Sequence, residues 1–150
     1  YHGRIEEALG QPHIQGLIDC HTMVGIGPRD APDRGRRRPD VILGNNGDGE
    51  GRAVYGRGET TCDPACLLHL KDLFEEEGFT VVLNDPYAGG YITTHYGRQL
   101  ARGGKTGIQV EVNQGLFVEE PGRHIHSAKL RETRRRIRRV LEALVCTGFS

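Results

Sequence analysis

The stretch Ile14-Gln15-Gly16-Leu17-Ile18-Asp19-Cys20-His21-Thr22-Met23 decides the fold, because an apolar run turns polar within one residue. We expect a buried strand over residues 13–19 that delivers polar side chains to the rim of a sheet, where ligands bind in open α/β proteins. A neutral imidazole at that rim can hold a metal ion, and a carboxylate two residues earlier can orient it. His21 is therefore a candidate metal ligand with Asp19 as its positioning partner, although a hydrogen-bonded structural histidine is the commoner outcome.

The composition is that of one domain, or part of one, without a charge bias. Among 150 residues, Lys plus Arg and Asp plus Glu both number 20, so the formal net charge is zero. This balance disfavours a nucleic-acid or membrane-surface protein. Because no apolar run is long enough to span a bilayer and no signal peptide is recognisable, we expect a cytoplasmic protein. The composition specifies no oligomeric state.

Periodic apolar residues predict helices and strands that alternate along the chain. Apolar spacing predicts helices over residues 1–9, 63–78 and 124–145. Asp63-Pro64 is a strong helix start, and Gly78 is a suitable end for the same helix. Buried strands are predicted over residues 39–44 and 79–84, and a strand of alternating character over residues 106–113. The chain therefore belongs to the α/β class.

Residues 85–97 are predicted to form a polar loop with a Gly89-Gly90 pivot. Three of the five tyrosines of the chain fall within ten residues there, at Tyr87, Tyr91 and Tyr96. Aromatic rings with polar tips suit the wall of a small-ligand pocket. The alternative is an ordinary surface loop.

The strand predicted over residues 106–113 carries a carboxylate between two amides. Ile108, Val110 and Val112 alternate with the polar residues Gln109, Glu111 and Asn113. If the polar face meets bulk water, this is an edge or half-exposed strand. If the polar face lines a pocket, Glu111 is a candidate general acid or base.

Two basic stretches and one cysteine pair are interpreted as structural. The run Arg34-Gly35-Arg36-Arg37-Arg38 and the arginines of the last helix are expected to be solvated, although either could meet an anionic substrate or a nucleic acid. Cys62 and Cys66 begin a predicted helix and are expected to be reduced thiols. The alternative, half of a metal site, lacks the further Cys or His ligands that zinc requires.

Five stretches, in this order, resemble the N-formylglutamate amidohydrolase family. They are residues 19–23 (DCHTM), 39–44 (PDVILG), 84–93 (NDPYAGGYIT), 95–98 (HYGR) and 109–117 (QVEVNQGLF). The resemblance implies a zinc-dependent amide hydrolase related in fold to the metallocarboxypeptidases, with a mixed sheet and helices on both of its faces. Members cleave the formyl group from N-formyl-glutamate, a small N-acyl amino acid, to give glutamate and formate in histidine degradation.

The resemblance also assigns roles to residues of this sequence. His21 matches a zinc ligand, and Glu111 matches the catalytic glutamate. Tyr91 with Gly89 and Gly90 is expected to border the substrate, together with Asn84. Because the substrate is a dianion, Arg98 is the best local candidate to bind a carboxylate.

The sequence departs from the family pattern at a few positions. Thr22 stands where Ser is usual, Gln114 where Arg is expected, and Phe117 where Tyr is expected; Gln99-Leu100 replaces a turn containing proline. The other zinc ligands of the family lie in an upstream segment resembling Pro-His-Ser-Gly, and Pro12-His13 is too close to His21 to be that segment. We therefore expect residues 1–150 to be the C-terminal part of the catalytic domain.

Two rival functions stay open at this stage. The first is a metallocarboxypeptidase-like hydrolase that acts on another amide. The second, from a different class, is a binding module that keeps the pocket and lacks the metal. A nucleic-acid-binding protein that uses the two arginine-rich stretches is a third, less favoured interpretation.

Overall fold

A four-stranded mixed sheet forms the centre of the protein in the computed structural model, which describes residues 1–119 and 124–148. Its strands are β1 (Gly16–Met23), β2 (Val41–Gly44), β3 (Val81–Leu83) and β4 (Thr106–Asn113), in the spatial order β1-β4-β2-β3. β1 runs parallel to β4, β4 antiparallel to β2, and β2 parallel to β3. The mixed sheet that the resemblance implied is confirmed.

Helices cover both faces of this sheet. They are α1 (His2–Leu9), α2 (Pro64–Glu76), α3 (Tyr91–Arg102) and α4 (Ser127–Thr147). α2 packs against α4, β2 and β3, whereas α3 packs against β1 and β4. A short hairpin of β5 (Val118–Glu119) and β6 (His124–Ile125) precedes α4. Within the described ranges, no helix is long and apolar enough to cross a membrane.

The hydrophobic core lies between the sheet and the α2–α4 layer. β2 and β4 contribute alternate side chains that are buried, among them Leu43 and Val110. Leu67, Phe74 and Leu144 reach them from the helices and are at most 1% exposed. Each such side chain stabilises the fold by about 1.5–3 kcal/mol relative to an exposed position. This core fixes one face of β4 and leaves the other face to carry polar side chains.

The first predicted strand is shifted and extended in the structure. β1 begins at Gly16 rather than at residue 13 and continues to Met23, so His21 lies inside the strand and not after it. The reason is the pairing with β4, which runs in unbroken register from Gly16 opposite Thr106 to Met23 opposite Asn113. Backbone pairing with a buried neighbour thus extends the strand through residues whose side chains are polar.

The polar loop predicted over residues 85–97 is wrong in its second half, because α3 begins at Tyr91. Thr93 and Thr94 are β-branched and disfavour a helix in isolation, which weakened the local signal. Packing overrides that preference, because Thr93, Tyr96 and Leu100 are all buried along one side of α3. Gly89 and Gly90 therefore lead into a helix instead of a flexible loop.

β4 is not an edge strand, since all eight of its residues are buried between β1 and β2. Its polar residues Gln109, Glu111 and Asn113 are therefore enclosed by the protein. This agrees with the alternative in which the polar face of the strand lines a pocket and does not meet bulk water. β1 occupies the edge of the sheet instead.

Candidate active site

Four polar side chains form a compact group on the α3 face of the sheet. The parallel register places Asp19 opposite Gln109 and His21 opposite Glu111. Because side chains two residues apart on a strand share a face, all four project to the same side. The candidate metal ligand and the candidate base, separated by 90 positions in sequence, are thus neighbours across two strands.

Asp19 orients the imidazole of His21. The Nε2 atom of His21 lies 2.9 Å from Oδ1 of Asp19, and the Asp19 side chain is 13% exposed, whereas that of His21 is 46% exposed. The second carboxylate oxygen of Asp19 accepts a hydrogen bond of 2.8 Å from the hydroxyl of Thr93. With Nε2 engaged by a carboxylate, Nδ1 is the atom that a metal ion or a substrate can approach.

Glu111 is buried and is held by an amide. Its residue exposure is 8%, and Nε2 of Gln109 donates a hydrogen bond of 3.1 Å to its Oε1. Burial raises the pKa of Glu111 above its usual value and the charge of Asp19 adds to the rise, whereas His21 and Arg38 nearby act in the opposite direction. A carboxylate with a raised pKa is a stronger base, which suits proton transfer.

The residues present fit one corner of a zinc site. A half-exposed imidazole with a carboxylate behind it is the usual arrangement of a zinc-bound histidine. A catalytic zinc ion takes three protein ligands, however, and residues 1–119 and 124–148 contain no group of three His, Cys, Asp or Glu side chains arranged to hold a metal ion. The role of His21 as a zinc ligand stays a prediction.

The interpretation of residues 34–38 as a solvated basic run is wrong at Arg38. Arg34, Arg36 and Arg37 are exposed, but the Arg38 side chain is only 2% exposed and forms a two-pronged ion pair with Asp33, at 2.7 and 2.8 Å. Its guanidinium also lies 5.0 Å from the centre of the Tyr87 ring. The sequence offered no signal for this burial, because the pairing with Asp33 is made by the fold.

The remaining predicted substrate residues are distributed around α3. Tyr91 is 63% exposed and stacks on His95 at the start of α3. Gly90 caps α3, and its backbone N–H donates to Oε1 of Gln109 at 2.5 Å. Gly89 has a φ of +151°, in the region that favours glycine. A role of these three residues at the substrate stays a prediction.

The side chains of Arg98 and Asn84 form hydrogen bonds that stabilise neighbouring loops. Arg98 donates to the backbone carbonyls of Glu59 and Arg57, at 3.3 and 3.0 Å. The Asn84 amide is paired with Asn45 and also donates to the carbonyl of Asp48. The structure brings neither side chain into bonding contact with His21 or Glu111, so their binding roles also stay predictions.

Two departures from the family pattern lie in contact with one another at the end of β1 and β4. The amide of Gln114 donates a hydrogen bond of 2.9 Å to the hydroxyl of Thr22. Thr22 directly follows His21, and Gln114 directly follows the end of β4. Where the pattern leads us to expect a cation, this part of the rim carries a neutral amide and a hydroxyl.

The cysteines and several arginines of α4, which the sequence predicted to be structural, make contacts that agree with that prediction. All four cysteines are free thiols, and Cys62 and Cys66 are buried in the core. Several arginines of α4 pair with glutamates: Arg135 with Glu132, Arg138 with Glu142, and Arg139 with Glu77. These pairs reduce the free positive charge that a nucleic acid would need.

Gln109 and Thr93 contact the candidate site residues, and the sequence alone assigns no role to either. Gln109 is part of the alternation of β4 and of the stretch 109–117 that resembles the family, and its position two residues before Glu111 places the two side chains together. Thr93 could be found only after α3 was known, because its contact with Asp19 joins residues 74 positions apart.

Comparisons with known proteins agree on one family. The sequence model described as N-formylglutamate amidohydrolase matches residues 1–118. The chain is 33% identical to the N-formylglutamate deformylase of Pseudomonas aeruginosa over 154 aligned positions, which cover 99% of this chain and 52% of that protein. The crystal structure of an N-formylglutamate amidohydrolase from Ralstonia eutropha JMP134 shares the fold, with a TM-score of 0.64 and 24% identity over 93% of this chain and 45% of that one. The chain thus spans about half the length of the relatives that it matches.

Proposed function

Because the chain belongs to the N-formylglutamate amidohydrolase family, we propose that the complete protein hydrolyses the formyl amide of N-formyl-L-glutamate to glutamate and formate. The observation that supports this proposal most directly is the register of β1 and β4, which sets His21 beside Glu111. A small N-acyl amino acid is then the substrate, and histidine degradation in the cytoplasm is the setting that we propose.

Glu111 acts as the general base and then as the general acid. Its carboxylate takes a proton from the attacking water, and the water oxygen adds to the formyl carbon. Glu111 then passes that proton to the amide nitrogen as the C–N bond breaks, so that the products separate as the neutral amine of glutamate and formic acid. Formic acid then gives its proton to the amine, which leaves formate and the ammonium form of glutamate. Proton transfer by a positioned carboxylate contributes about 10²–10⁴-fold to such reactions.

Zinc is the cofactor that we propose for the complete protein, with His21 as one of its ligands. A zinc ion lowers the pKa of a bound water to about 7 and polarises a carbonyl, which is the chemistry that amide hydrolysis needs. Asp19 keeps the His21 imidazole oriented through the 2.9 Å contact to Nε2. The remaining ligands would come from parts of the complete protein that residues 1–150 do not include, since the chain spans about half the length of its relatives.

The test is made on the full reading frame, expressed and purified as the intact protein. Zinc per chain and formate release from N-formyl-L-glutamate are measured for wild type, His21→Ala and Glu111→Gln. We expect His21→Ala to lose zinc and activity together. Glu111→Gln should retain zinc and lose about 10²–10⁴-fold in kcat.

Matched controls separate these effects from general damage. His69→Ala removes a half-buried histidine on α2 whose ring contacts Thr147, and Glu76→Gln neutralises an exposed glutamate on the same helix. Both variants should retain zinc and activity. If the intact wild type binds no zinc, the metal-free binding module replaces the hydrolase; if it binds zinc and releases no formate, the reaction moves to another amide.

A hydrolase of a different N-acyl amino acid is the second candidate, and the contact between Gln114 and Thr22 favours it. Gln114 stands where the family pattern has Arg, and a neutral amide suits a neutral or amide-bearing side chain better than a second carboxylate. Comparing kcat/KM for N-formyl-glutamate and N-formyl-glutamine decides between them. Gln114→Arg should raise the preference for the glutamate substrate if the anion is bound at this position.

A further inference from the structure

The side-chain amide of Gln109 bridges the start of α3 and the carboxylate of Glu111. Its Oε1 accepts a hydrogen bond of 2.5 Å from the backbone N–H of Gly90, and its Nε2 donates one of 3.1 Å to Oε1 of Glu111. Gln109 is 4% exposed, so little water competes with its amide for these two hydrogen-bond partners. Both ends of the amide are therefore used inside the protein.

The orientation of this amide follows from its partners. A backbone N–H can only donate, so the atom of Gln109 that faces Gly90 must be the carbonyl oxygen. The NH₂ group then faces Glu111, whose ionised carboxylate can only accept. The bond to Glu111 is thus a donor aimed at a charged acceptor, which is stronger than a bond between neutral groups.

The same arrangement occurs on the neighbouring strand. On β1, Asp19 contacts His21 two residues further on and is itself held by Thr93 of α3. On β4, Gln109 contacts Glu111 two residues further on and is itself held by Gly90 at the start of α3. In both strands a residue anchored to the first turn of α3 fixes the residue that we assign to the chemistry.

We propose that Gln109 is the positioning residue of the catalytic base: it holds Oε1 of Glu111 and leaves Oε2 to accept the proton from water. This inference rests on the proposed function for the role of Glu111 and goes beyond it in assigning Gln109. The effect on the reaction is through geometry, since a misplacement of about 1 Å in a reacting group lowers a rate by about 10²-fold.

The kinetic test uses the intact protein with Gln109→Met and Gln109→Glu. Methionine has a similar size and removes both bonds, whereas glutamate retains an acceptor for Gly90 and removes the donor to Glu111. We expect both variants to lower kcat about 10- to 100-fold while KM changes less than about threefold. Gln99→Met is the control, because Gln99 is exposed on α3 and its side-chain amide hydrogen-bonds with His95; it should leave kcat unchanged.

A double-mutant cycle with Glu111→Asp distinguishes positioning from a purely structural role. In Glu111→Asp the shorter side chain moves the carboxylate oxygens away from Gln109. If Gln109 acts through Glu111, adding Gln109→Met to this variant should lower kcat by less than about threefold. An equal loss in both backgrounds, or a loss below twofold in wild type, overturns the proposal.

A readout without turnover separates failure of this inference from failure of the proposed function. In protein labelled with ¹⁵N-glutamine, the side-chain amide of Gln109 is assigned by its disappearance in Gln109→Met. We expect its protons to exchange slowly in wild type and quickly in Glu111→Met, whatever substrate is hydrolysed. Fast exchange in wild type would show that the amide does not hold Glu111, even if formate release proceeds.

Discussion

Thr93 donates a hydrogen bond of 2.8 Å to Asp19 and thereby connects the first turn of α3 to the strand that carries His21. Thr93 is fully buried, so its hydroxyl finds its partner inside the protein. Asp19 in turn contacts Nε2 of His21. The position of α3 thus determines the orientation of the His21 imidazole through two contacts, Thr93 with Asp19 and Asp19 with His21.

Thr93→Val tests this connection, because valine retains the shape and the branching of threonine and lacks the hydroxyl. We expect the free energy of unfolding to fall by about 1–3 kcal/mol, the usual effect of leaving a buried acceptor with one partner fewer. Zinc affinity of the intact protein should also fall, because Asp19 loses one of its two anchors. Urea denaturation and zinc titration measure the two effects.

Thr94→Val is the matched control on the same helix. The Thr94 hydroxyl donates only to carbonyls of its own first turn, Gly90 and Tyr91, and does not reach the sheet. This variant should change unfolding by less than about 0.5 kcal/mol and leave zinc affinity unaltered. If the two substitutions changed unfolding and zinc affinity equally, the hydrogen bond from Thr93 to Asp19 would have no specific role at the site.

Asp19→Asn isolates the contact between Asp19 and His21. Asparagine can still accept from Thr93 and lacks the negative charge that stabilises the tautomer of His21 with a proton on Nε2. Loss of such an outer partner weakens zinc binding by about 10- to 100-fold. A competition titration with a zinc chelator measures this affinity, and Asp72→Asn, at an exposed position of α2, provides the comparison. Unchanged affinity in Asp19→Asn would contradict the positioning role.

The sequence predicted which residues form the candidate site better than it predicted the contacts between them. His21 and Glu111 were chosen from residue type and strand position, and the register of β1 with β4 places them together. The period of two along a strand also predicts that Gln109 shares the face of Glu111. Residue type and the strand period depend on neighbours within a few residues, which a sequence displays directly, whereas the register of β1 with β4 joins residues 90 positions apart and comes from the fold.

Arg38 and Thr93 show where such prediction stops. Arg38 belongs to a run of basic residues, and its local pattern is that of a solvated loop, yet the fold buries it against Asp33. Thr93 lies in a stretch with poor helix propensity, and only packing on β1 and β4 makes that stretch helical. Both outcomes depend on contacts distant in sequence, which no periodicity contains.

The ion pair of Asp33 with Arg38 makes stability depend on pH. The hydrogen bond from Arg38 lowers the pKa of Asp33 below its usual value, more than burial raises it. An unfolded aspartate titrates near about 3.9, so the stabilisation is fully present above that pH and is lost as the pH falls through the lower folded pKa. We expect the free energy of unfolding to fall as the pH is lowered from about 6 to about 3, less steeply in Asp33→Asn.

Asp33→Asn should also be less stable at neutral pH, by about 3–5 kcal/mol, because Arg38 then keeps a buried charge without its partner. Asp85→Asn is the control, since Asp85 forms an exposed pair with Arg36 at 3.6 Å. Removing an exposed pair costs at most about 1 kcal/mol. If urea denaturation showed the same pH dependence for both variants, the buried pair of Asp33 with Arg38 would not be the source of the pH dependence of stability.

The closest approach of α3 to the sheet is made by two glycines, Gly97 on α3 and Gly107 on β4. A Cβ atom on Gly107 would lie 2.5 Å from Cα of Gly97, and backbone atoms cannot yield to it as a flexible side chain could. Gly107→Ala must therefore push α3 away from β4. Overpacking of this kind destabilises by about 1–3 kcal/mol.

Gly107→Ala should also reduce activity, although Gly107 touches neither His21 nor Glu111. α3 carries Gly90 at its cap and Thr93 in its first turn, so a displaced helix loosens the anchors of Gln109 and Asp19 together. We expect a lower melting temperature and a lower kcat in formate release. Gly3→Ala is the control: its added Cβ meets nothing within 4 Å, and alanine favours the helix by about 1 kcal/mol. If Gly107→Ala kept full kcat despite its lower melting temperature, α3 would support the fold without positioning the site.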